Sequence, residues 1–149
     1  MSVAPEKGVS HLNERLATSG LRPTTQRQHV YDVLLQKPDH PTAEEIFIRA
    51  KQTIPDISIA TVYNCLDALV KCELVRPVNL ERGAKRFCPN MKEHFHFLCE
   101  SCSRIFDIDA VSAHDRFAHV IPHGFELKHF ELSLRGTCGE CAAPKETPR

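Results

Sequence analysis

The stretch from Cys88 to Cys102 reads CPNMKEHFHFLCESC and gathers two histidines and three cysteines in a short length of chain. A second cysteine pair, Cys138 and Cys141, lies near the C-terminus. Thiolate and imidazole are the ligands that zinc and other late first-row metals prefer. The pattern therefore predicts that metal binding organises this part of the chain.

Two Cys-x-x-Cys pairs have the spacing of a structural zinc site with four thiolates: Cys99, Cys102, Cys138 and Cys141. Each pair forms a tight turn that presents two sulfurs about as far apart as a tetrahedral ion requires. The alternative is a pair of redox motifs, which needs a thioredoxin-like βαβ context that the flanking pattern lacks. The spacing thus predicts a structural zinc ion that stabilises the fold of a small domain.

A second candidate site begins at His94 and His96. On a strand, side chains alternate between the two faces, so both imidazoles share one face and the intervening phenylalanines point to the other. Cys88 lies close by in sequence, and Asp107 and His40 are candidates to complete a ligand set. The alternative is that these histidines merely face solvent.

Composition is that of an ordinary soluble globular protein, with 42% apolar residues, 26% charged residues and no net charge. The N-terminus lacks the apolar core of a signal peptide, and no window approaches the roughly 20 apolar residues that span a bilayer. We therefore expect a cytoplasmic protein with no membrane association. Seven cysteines in a reducing compartment favour metal ligation over disulfides.

The N-terminal half predicts helices followed by a β-hairpin. The helices are marked by His11–Ser19 before Gly20, by Pro23, by the capping box Thr42-x-x-Glu45 and by Ser58. The last of them carries an apolar stripe made of Val62, Cys65, Leu66, Leu69 and Val70. Strands are predicted at Leu74–Val78 and Lys85–Phe87 around a turn at Glu81-Arg82-Gly83. This order predicts a winged helix-turn-helix, in which the last helix enters the major groove of DNA.

That last helix offers candidate DNA contacts on the side opposite its stripe. Thr61 and Asn64 lie there, and Tyr63 lies near its boundary. Asparagine can pair with adenine, and tyrosine can touch a thymine methyl group or a phosphate. On the wing, Arg82, Lys85 and Arg86 suit phosphate contact. The alternative is an ordinary exposed helix face.

The C-terminal half predicts strands at His94–Leu98 and Ile105–Ile108 on either side of the first cysteine pair. A helix is expected from Asp109 or Ser112 to about His119, and a final strand from Phe125 to Leu134. Pro89-Asn90 is a plausible hinge between the halves. The expected fold class is α+β, a winged helix followed by a small α/β domain.

Taken together, these motifs resemble the ferric uptake regulator family of metal-dependent bacterial repressors. The resemblance runs from about Leu12 to Cys141 and rests on five pieces: Arg22-Pro-Thr-Thr-Gln-Arg27, His40-Pro-Thr-Ala-Glu-Glu45, Ser58-Ile-Ala-Thr-Val-Tyr-Asn64, His94-Phe-His96 with Cys99-x-x-Cys102, and Cys138-x-x-Cys141. It implies a DNA-binding domain at 1–88, a metal-binding dimerisation domain at 89–149, and a homodimer on a palindromic double-stranded operator. It also implies a structural zinc at the four cysteines and a second divalent metal, zinc, iron or manganese, between the domains.

The resemblance also assigns roles to single residues. Arg22 and Tyr63 match family positions that touch DNA, and Ser58, Thr61 and Asn64 complete the expected DNA-binding set. His40, His94, His96 and Asp107 match the regulatory site of the peroxide-sensing subgroup. Cys88 departs from that subgroup, which has an aspartate there, and resembles a ligand of the zinc-sensing subgroup.

A thiolate in place of a carboxylate shifts preference from iron(II) and manganese(II) towards zinc. We therefore expect a zinc-sensing repressor. The alternative is an iron- or manganese-dependent peroxide sensor. A metallohydrolase is disfavoured because the sequence has no His-Glu-x-x-His motif.

Overall fold

The computed structural model describes residues 5–79, 83–110, 117, 119–128 and 132–144, with the backbone alone for 5–10. The chain divides into two compact units, Met1–Met91 and Lys92–Arg149. Helices dominate the first unit and a small sheet the second, so the α+β prediction is confirmed.

The described residues of the first unit form four helices and two antiparallel strands. Its elements in chain order are α1 (Pro5–Thr18), α2 (Thr25–Gln36), α3 (Ala43–Ala50), α4 (Ile59–Lys71), β1 (Arg76–Val78) and β2 (Arg86–Cys88). The strands pair antiparallel, with Pro77 opposite Phe87. Helices α2, α3 and α4 contact one another, so this part of the chain is a winged helix-turn-helix.

Side-chain caps fix the starts of three helices. Thr24 accepts a hydrogen bond from the Arg27 backbone N–H, and Ser58 accepts one from Thr61. Thr42 and Glu45 form the predicted reciprocal capping box. Two predicted starts are wrong. Helix α1 begins at Pro5 instead of His11, and α2 begins at Thr25 instead of Pro23, because Thr24 supplies the cap.

The core of the first unit is built from the apolar faces of all four helices. Leu16 of α1, Leu34 of α2, Ile46 of α3 and Leu66 of α4 are fully buried. Each such side chain contributes about 1.5–3 kcal/mol on leaving water. The predicted stripe on α4 is confirmed, and its Cys65 belongs to this core. Burial raises the pKa of the Cys65 thiol, which makes it unreactive.

In the part that the structure describes, the second unit contains a three-stranded sheet and, after its last strand, one helical turn. Its elements are β3 (His94–Cys99), β4 (Ile105–Asp109), β5 (Ser133–Gly136) and α5 (Gly139–Ala142). Strand β3 is central, antiparallel to β4 and parallel to β5. The parallel pairing brings Gly136 beside Cys99, which carries the chain from β5 straight into the second cysteine pair.

The predicted final strand is wrong over its first residues. Phe125–Lys128 form no strand, Phe125 is 73% exposed, and its backbone N–H donates to Pro122 in a turn. Pairing with β3 instead selects Ser133–Gly136, two residues beyond the predicted end. Residues 129–131, and most of the predicted helix ending near His119, lie outside the described residues. Within the described ranges, no helix is long and apolar enough to cross a membrane.

Candidate metal centres and nucleic-acid interface

The four predicted zinc ligands converge in the second unit. Cys99 ends β3, Cys102 lies in the following turn, and Cys138 and Cys141 lie at the start and within α5. Their sulfurs all lie within 4.8 Å of one another, and Cys102 Sγ is 3.9 Å from Cys138 Sγ. Zinc–sulfur bonds of about 2.3 Å place tetrahedral ligands roughly 3.8 Å apart. The cluster thus fits a zinc ion.

Electrostatics in this cluster favour a bound cation. The Cys138 backbone N–H donates to Cys99 Sγ over 3.3 Å and is the main cause that lowers the pKa of the Cys99 thiol to about 6. The neighbouring Cys138 and Cys102 sulfurs raise the pKa of the Cys141 thiol to about 12. Four thiolates this close repel one another, so all of them ionise only when a cation lies between them.

Arg104 and Glu140 brace the cluster and were missed in the sequence. Arg104 Nε donates to Cys102 Sγ over 3.4 Å, which is the main cause of a lowered pKa for that thiol. Its other nitrogens hydrogen-bond both Glu140 carboxylate oxygens. The guanidinium also lies over the Phe106 ring, 5.5 Å from its centroid. The Arg104 side chain thus joins the two cysteine turns. The spacing of residues in the sequence does not indicate this contact, because Arg104 and Glu140 are far apart in the chain.

A second cluster in the same unit consists of His94, His96 and Asp107. The β3–β4 register places His96 directly opposite Asp107, with both histidines on one face as predicted. The two Nε2 atoms are 3.0 Å apart, and each lies 3.4 Å from Asp107 Oδ1. Ligands at 2.0–2.1 Å from a tetrahedral zinc lie roughly 3.3–3.4 Å apart. These three atoms therefore have the separations of one face of a metal site.

The orientation of His94 suits ligation through Nε2. Its Nδ1 lies 2.6 Å from the Lys92 carbonyl oxygen, which can only accept a hydrogen bond. Nδ1 therefore carries the proton, and the lone pair of the neutral ring is on Nε2, which points towards His96 and Asp107. The His94 side chain is completely buried, which removes competing water.

The first unit brings the other two predicted regulatory ligands together. Ligand atoms of His40 and Cys88 lie within 4.8 Å of each other, and both residues are buried. Cys88 ends β2, and the Phe87 backbone N–H donates to the Pro41 carbonyl over 3.0 Å. The loop that carries His40 therefore continues the wing by pairing with β2.

The His40 loop is held in a strained conformation from several sides. His40 has φ 55°, a left-handed backbone that costs a non-glycine residue about 1–2 kcal/mol. Arg86 Nη1 donates to the His40 carbonyl over 3.0 Å and lies 3.6 Å from Glu45. Asp39 accepts two hydrogen bonds from Arg49, which also lower the pKa of its carboxyl group. Strain held by this many contacts is typical of functional residues.

The exposed face of α4 carries Tyr63 and Asn64. Tyr63 is 44% exposed, and its hydroxyl donates to Glu44 Oε1 over 2.9 Å. Ser58 and Thr61 have a local role, because the Ser58 hydroxyl caps the helix and lies 2.9 Å from the Thr61 hydroxyl. Glu44 was missed, since nothing in the sequence signals a contact between α3 and α4 at the surface.

The predicted DNA contacts outside α4 differ in their surroundings. Arg22 is exposed in the loop before α2 and accepts a hydrogen bond from Arg27 at its carbonyl. Lys85 is exposed on the wing, whereas Arg86 is committed to His40 and Glu45. Arg82 lies outside the described residues.

Comparison with known proteins gives one consistent result. The model of the ferric uptake regulator family matches residues 18–135. The peroxide-responsive repressor PerR of Staphylococcus aureus strain Mu50 is 32% identical over 146 residues, covering 95% of this chain and 98% of that protein.

Solved structures agree at the level of the fold. The ferric uptake regulator of Helicobacter pylori has a TM-score of 0.81 at 24% identity, covering 98% of this chain and 100% of that chain. The Campylobacter jejuni peroxide stress regulator has a TM-score of 0.66 at 26% identity, covering 89% and 98%. The family match spans most of the chain and includes two of the four clustered cysteines, Cys99 and Cys102, whereas Cys138 and Cys141 lie beyond its last residue. The chain therefore belongs to the ferric uptake regulator family of metal-responsive repressors.

Proposed function

We propose that this protein is a zinc-responsive repressor that binds operator DNA when its regulatory site is occupied. The observation that carries the proposal is the convergence of His94, His96 and Asp107 at separations of 3.0–3.4 Å. This cluster is separate from the four cysteines, which already suffice for a structural zinc. A second ligand set in the same protein supports a role other than folding.

The proposal assigns one ion to ligands from both units: His40, Cys88, His94, His96 and Asp107. An ion ligated by both units binds best to one arrangement of them, so its binding shifts the population towards that arrangement. To raise the population of one arrangement from about 1% to about 99% of the molecules, a ligand must bind that arrangement about 5.5 kcal/mol more tightly than the other. Loss of several metal–ligand bonds in the other arrangement is a sufficient source of that difference.

Cys88 favours zinc as the regulatory ion. A soft thiolate with two imidazoles is a typical zinc set, whereas iron(II) and manganese(II) sites favour carboxylates. The Cys88 side chain is buried in the first unit, with its Sγ within 4.8 Å of a His40 ring nitrogen. The single carboxylate in the proposed set, Asp107, is compatible with either metal.

DNA recognition is assigned to the winged helix of the first unit. Helix α4 would enter the major groove with Tyr63 and Asn64, while Arg22 and Lys85 contact phosphates. The second unit would pair two copies into a homodimer, which suits a palindromic operator. Such a repressor acts in the cytoplasm, where the DNA is.

The test is a DNA-binding titration on His96→Ala, with His123→Ala as the matched control because His123 is exposed in a turn of the same unit. A palindromic duplex selected from random DNA by the zinc-loaded wild type serves as the operator. His96→Ala should retain the four-cysteine zinc but lose the increase in affinity on metal addition. If its affinity still rises like that of His123→Ala, the regulatory assignment is wrong.

Peroxide sensing is the second candidate, supported by the 32% identity to a peroxide-responsive repressor. In that case bound iron would react with peroxide and oxidise a ligand such as His40, His94 or Cys88. Mass spectrometry of the iron-loaded protein after peroxide treatment separates the two. Added oxygen with loss of DNA binding supports peroxide sensing, and an unmodified protein with unchanged affinity excludes it.

A further inference from the structure

The hydrogen bond between Tyr63 and Glu44 joins two helices at the surface that the proposed function turns towards DNA. Tyr63 is the large aromatic side chain on the exposed face of α4, and Glu44 lies in the first turn of α3. The hydroxyl oxygen and the carboxylate oxygen are 2.9 Å apart. The residues are 19 positions apart in sequence, so this contact depends on how α3 and α4 pack.

Glu44 is a fixed negative charge. A hydrogen bond from its own backbone N–H is the main cause that lowers the pKa of its carboxyl group, followed by those from Tyr63 and Thr42. It also lies at the N-terminal end of a helix, where the helix dipole stabilises an anion. The carboxylate is therefore held in place before any ligand arrives.

This contact changes what Tyr63 can do on DNA. A tyrosine hydroxyl has one proton to donate, and phosphate oxygens only accept hydrogen bonds. Because the proton is directed to Glu44, the hydroxyl has none to give to a phosphate. A phosphate brought close to the hydroxyl would also meet the Glu44 charge. What remains available for DNA is the ring of Tyr63.

We propose that Glu44 is a positioning residue that withholds the Tyr63 hydroxyl from the DNA backbone and thereby sets the sequence selectivity of α4. The inference rests on the proposed function, since it requires that α4 binds DNA. Backbone contacts add affinity for every sequence, whereas contacts to bases distinguish one sequence from another. Glu44 thus lowers binding to non-operator DNA more than binding to the operator, a repulsive contribution to specificity.

Four metal-loaded variants test this inference: Glu44→Ala, Tyr63→Phe, the double variant, and the control Asp67→Ala. Asp67 is an exposed acid of α4, so its removal changes the charge equally and leaves the tyrosine contact intact. Dissociation constants are measured for the selected operator and a scrambled duplex at one salt concentration. Thermal melts confirm that each variant is folded.

In Glu44→Ala the freed hydroxyl can donate to a phosphate, a charge-assisted bond, so affinity for the scrambled duplex should rise by about tenfold. The operator gains less, and the selectivity ratio falls. Tyr63→Phe alone should change affinity for the scrambled duplex by less than about threefold, yet in the Glu44→Ala background it should reverse the gain. Asp67→Ala should leave the selectivity ratio near that of wild type.

Two results overturn the inference. One is a Tyr63→Phe variant that binds both duplexes much more weakly than wild type, because the hydroxyl would then already contact a phosphate. The other is an unchanged selectivity ratio in Glu44→Ala. If the wild type prefers the operator when metal is bound but either of these results is found, only the inference about Glu44 fails. If the wild type shows no metal-dependent preference for the operator, the proposed function fails too.

Discussion

Removal of the Arg86 side chain tests whether the His40 loop is preorganised for metal. Arg86 donates to the His40 carbonyl over 3.0 Å and lies 3.6 Å from Glu45, which in turn accepts a 2.8 Å hydrogen bond from the Thr42 backbone N–H. The substitution Arg86→Ala therefore removes the side-chain contacts that the wing strand makes with the loop and with the start of α3, and leaves the backbone hydrogen bond from Phe87 to Pro41 in place. Lys85→Ala is the matched control, because it removes an adjacent exposed cation.

The expected magnitude follows from these contacts. A hydrogen bond from a charged donor contributes about 1.5–3 kcal/mol. The ion pair adds about 0.5 kcal/mol, because the Arg86 and Glu45 side chains are 26% and 48% exposed and solvent screens them. The free energy of unfolding of the first unit should therefore fall by about 2 kcal/mol.

Metal affinity should fall as well. Once released, His40 can leave its left-handed backbone conformation, which costs about 1–2 kcal/mol to restore. Zinc binding at the regulatory site must then restore the left-handed conformation of His40, so the dissociation constant for zinc should rise about tenfold. The four-cysteine zinc should be unaffected.

Urea unfolding measures the stability, and competition with a fluorescent zinc chelator measures the affinity. Arg86→Ala should show both losses and Lys85→Ala neither. A variant that is less stable but binds regulatory zinc as tightly as wild type would refute the reasoning, because Arg86 would then stabilise the fold without positioning His40.

Three further predictions concern the stability of the two units. Cys99→Ser should release the structural zinc and abolish the cooperative melting of the second unit; full zinc content in this variant would contradict the site. Arg104→Ala should speed loss of the structural zinc to a chelator severalfold, and Glu140→Ala should speed it less, because Arg104 would still donate to the cluster; equal rates in wild type and both variants would exclude the bracing role. Thr42→Ala removes the α3 cap and should lower the unfolding free energy by about 1 kcal/mol, as measured by urea titration.

Local signals in the sequence predicted those elements that depend on near neighbours. The capping box at Thr42 and the apolar stripe of α4 are short-range patterns, and the structure has both. The two cysteine pairs are also short-range patterns, because each pair forms its own turn, and the structure brings the four sulfurs together. The last strand was misplaced because its position is set by pairing with β3, a contact across more than thirty residues.

Contacts between distant segments could not be predicted in the same way. Glu44 bonds Tyr63 across two helices, and Arg104 joins two cysteine turns far apart in the chain. Exposed charged residues have many possible partners, and sequence spacing does not select one. The direct pairing of His96 with Asp107 likewise required the strand register, although both residues were predicted as ligands.

The most direct test of zinc-dependent repression is a titration of operator binding with zinc, iron(II) and manganese(II) on wild type and Cys88→Asp. Wild type should respond to zinc at the lowest free concentration. Cys88→Asp should respond less to zinc and more to iron(II) and manganese(II), because a carboxylate replaces the thiolate. Two results would contradict the assignment of Cys88 and of zinc. One is a wild type that responds to iron(II) or manganese(II) at a lower free concentration than to zinc. The other is a Cys88→Asp variant that responds to the three metals in the same order of concentration as the wild type.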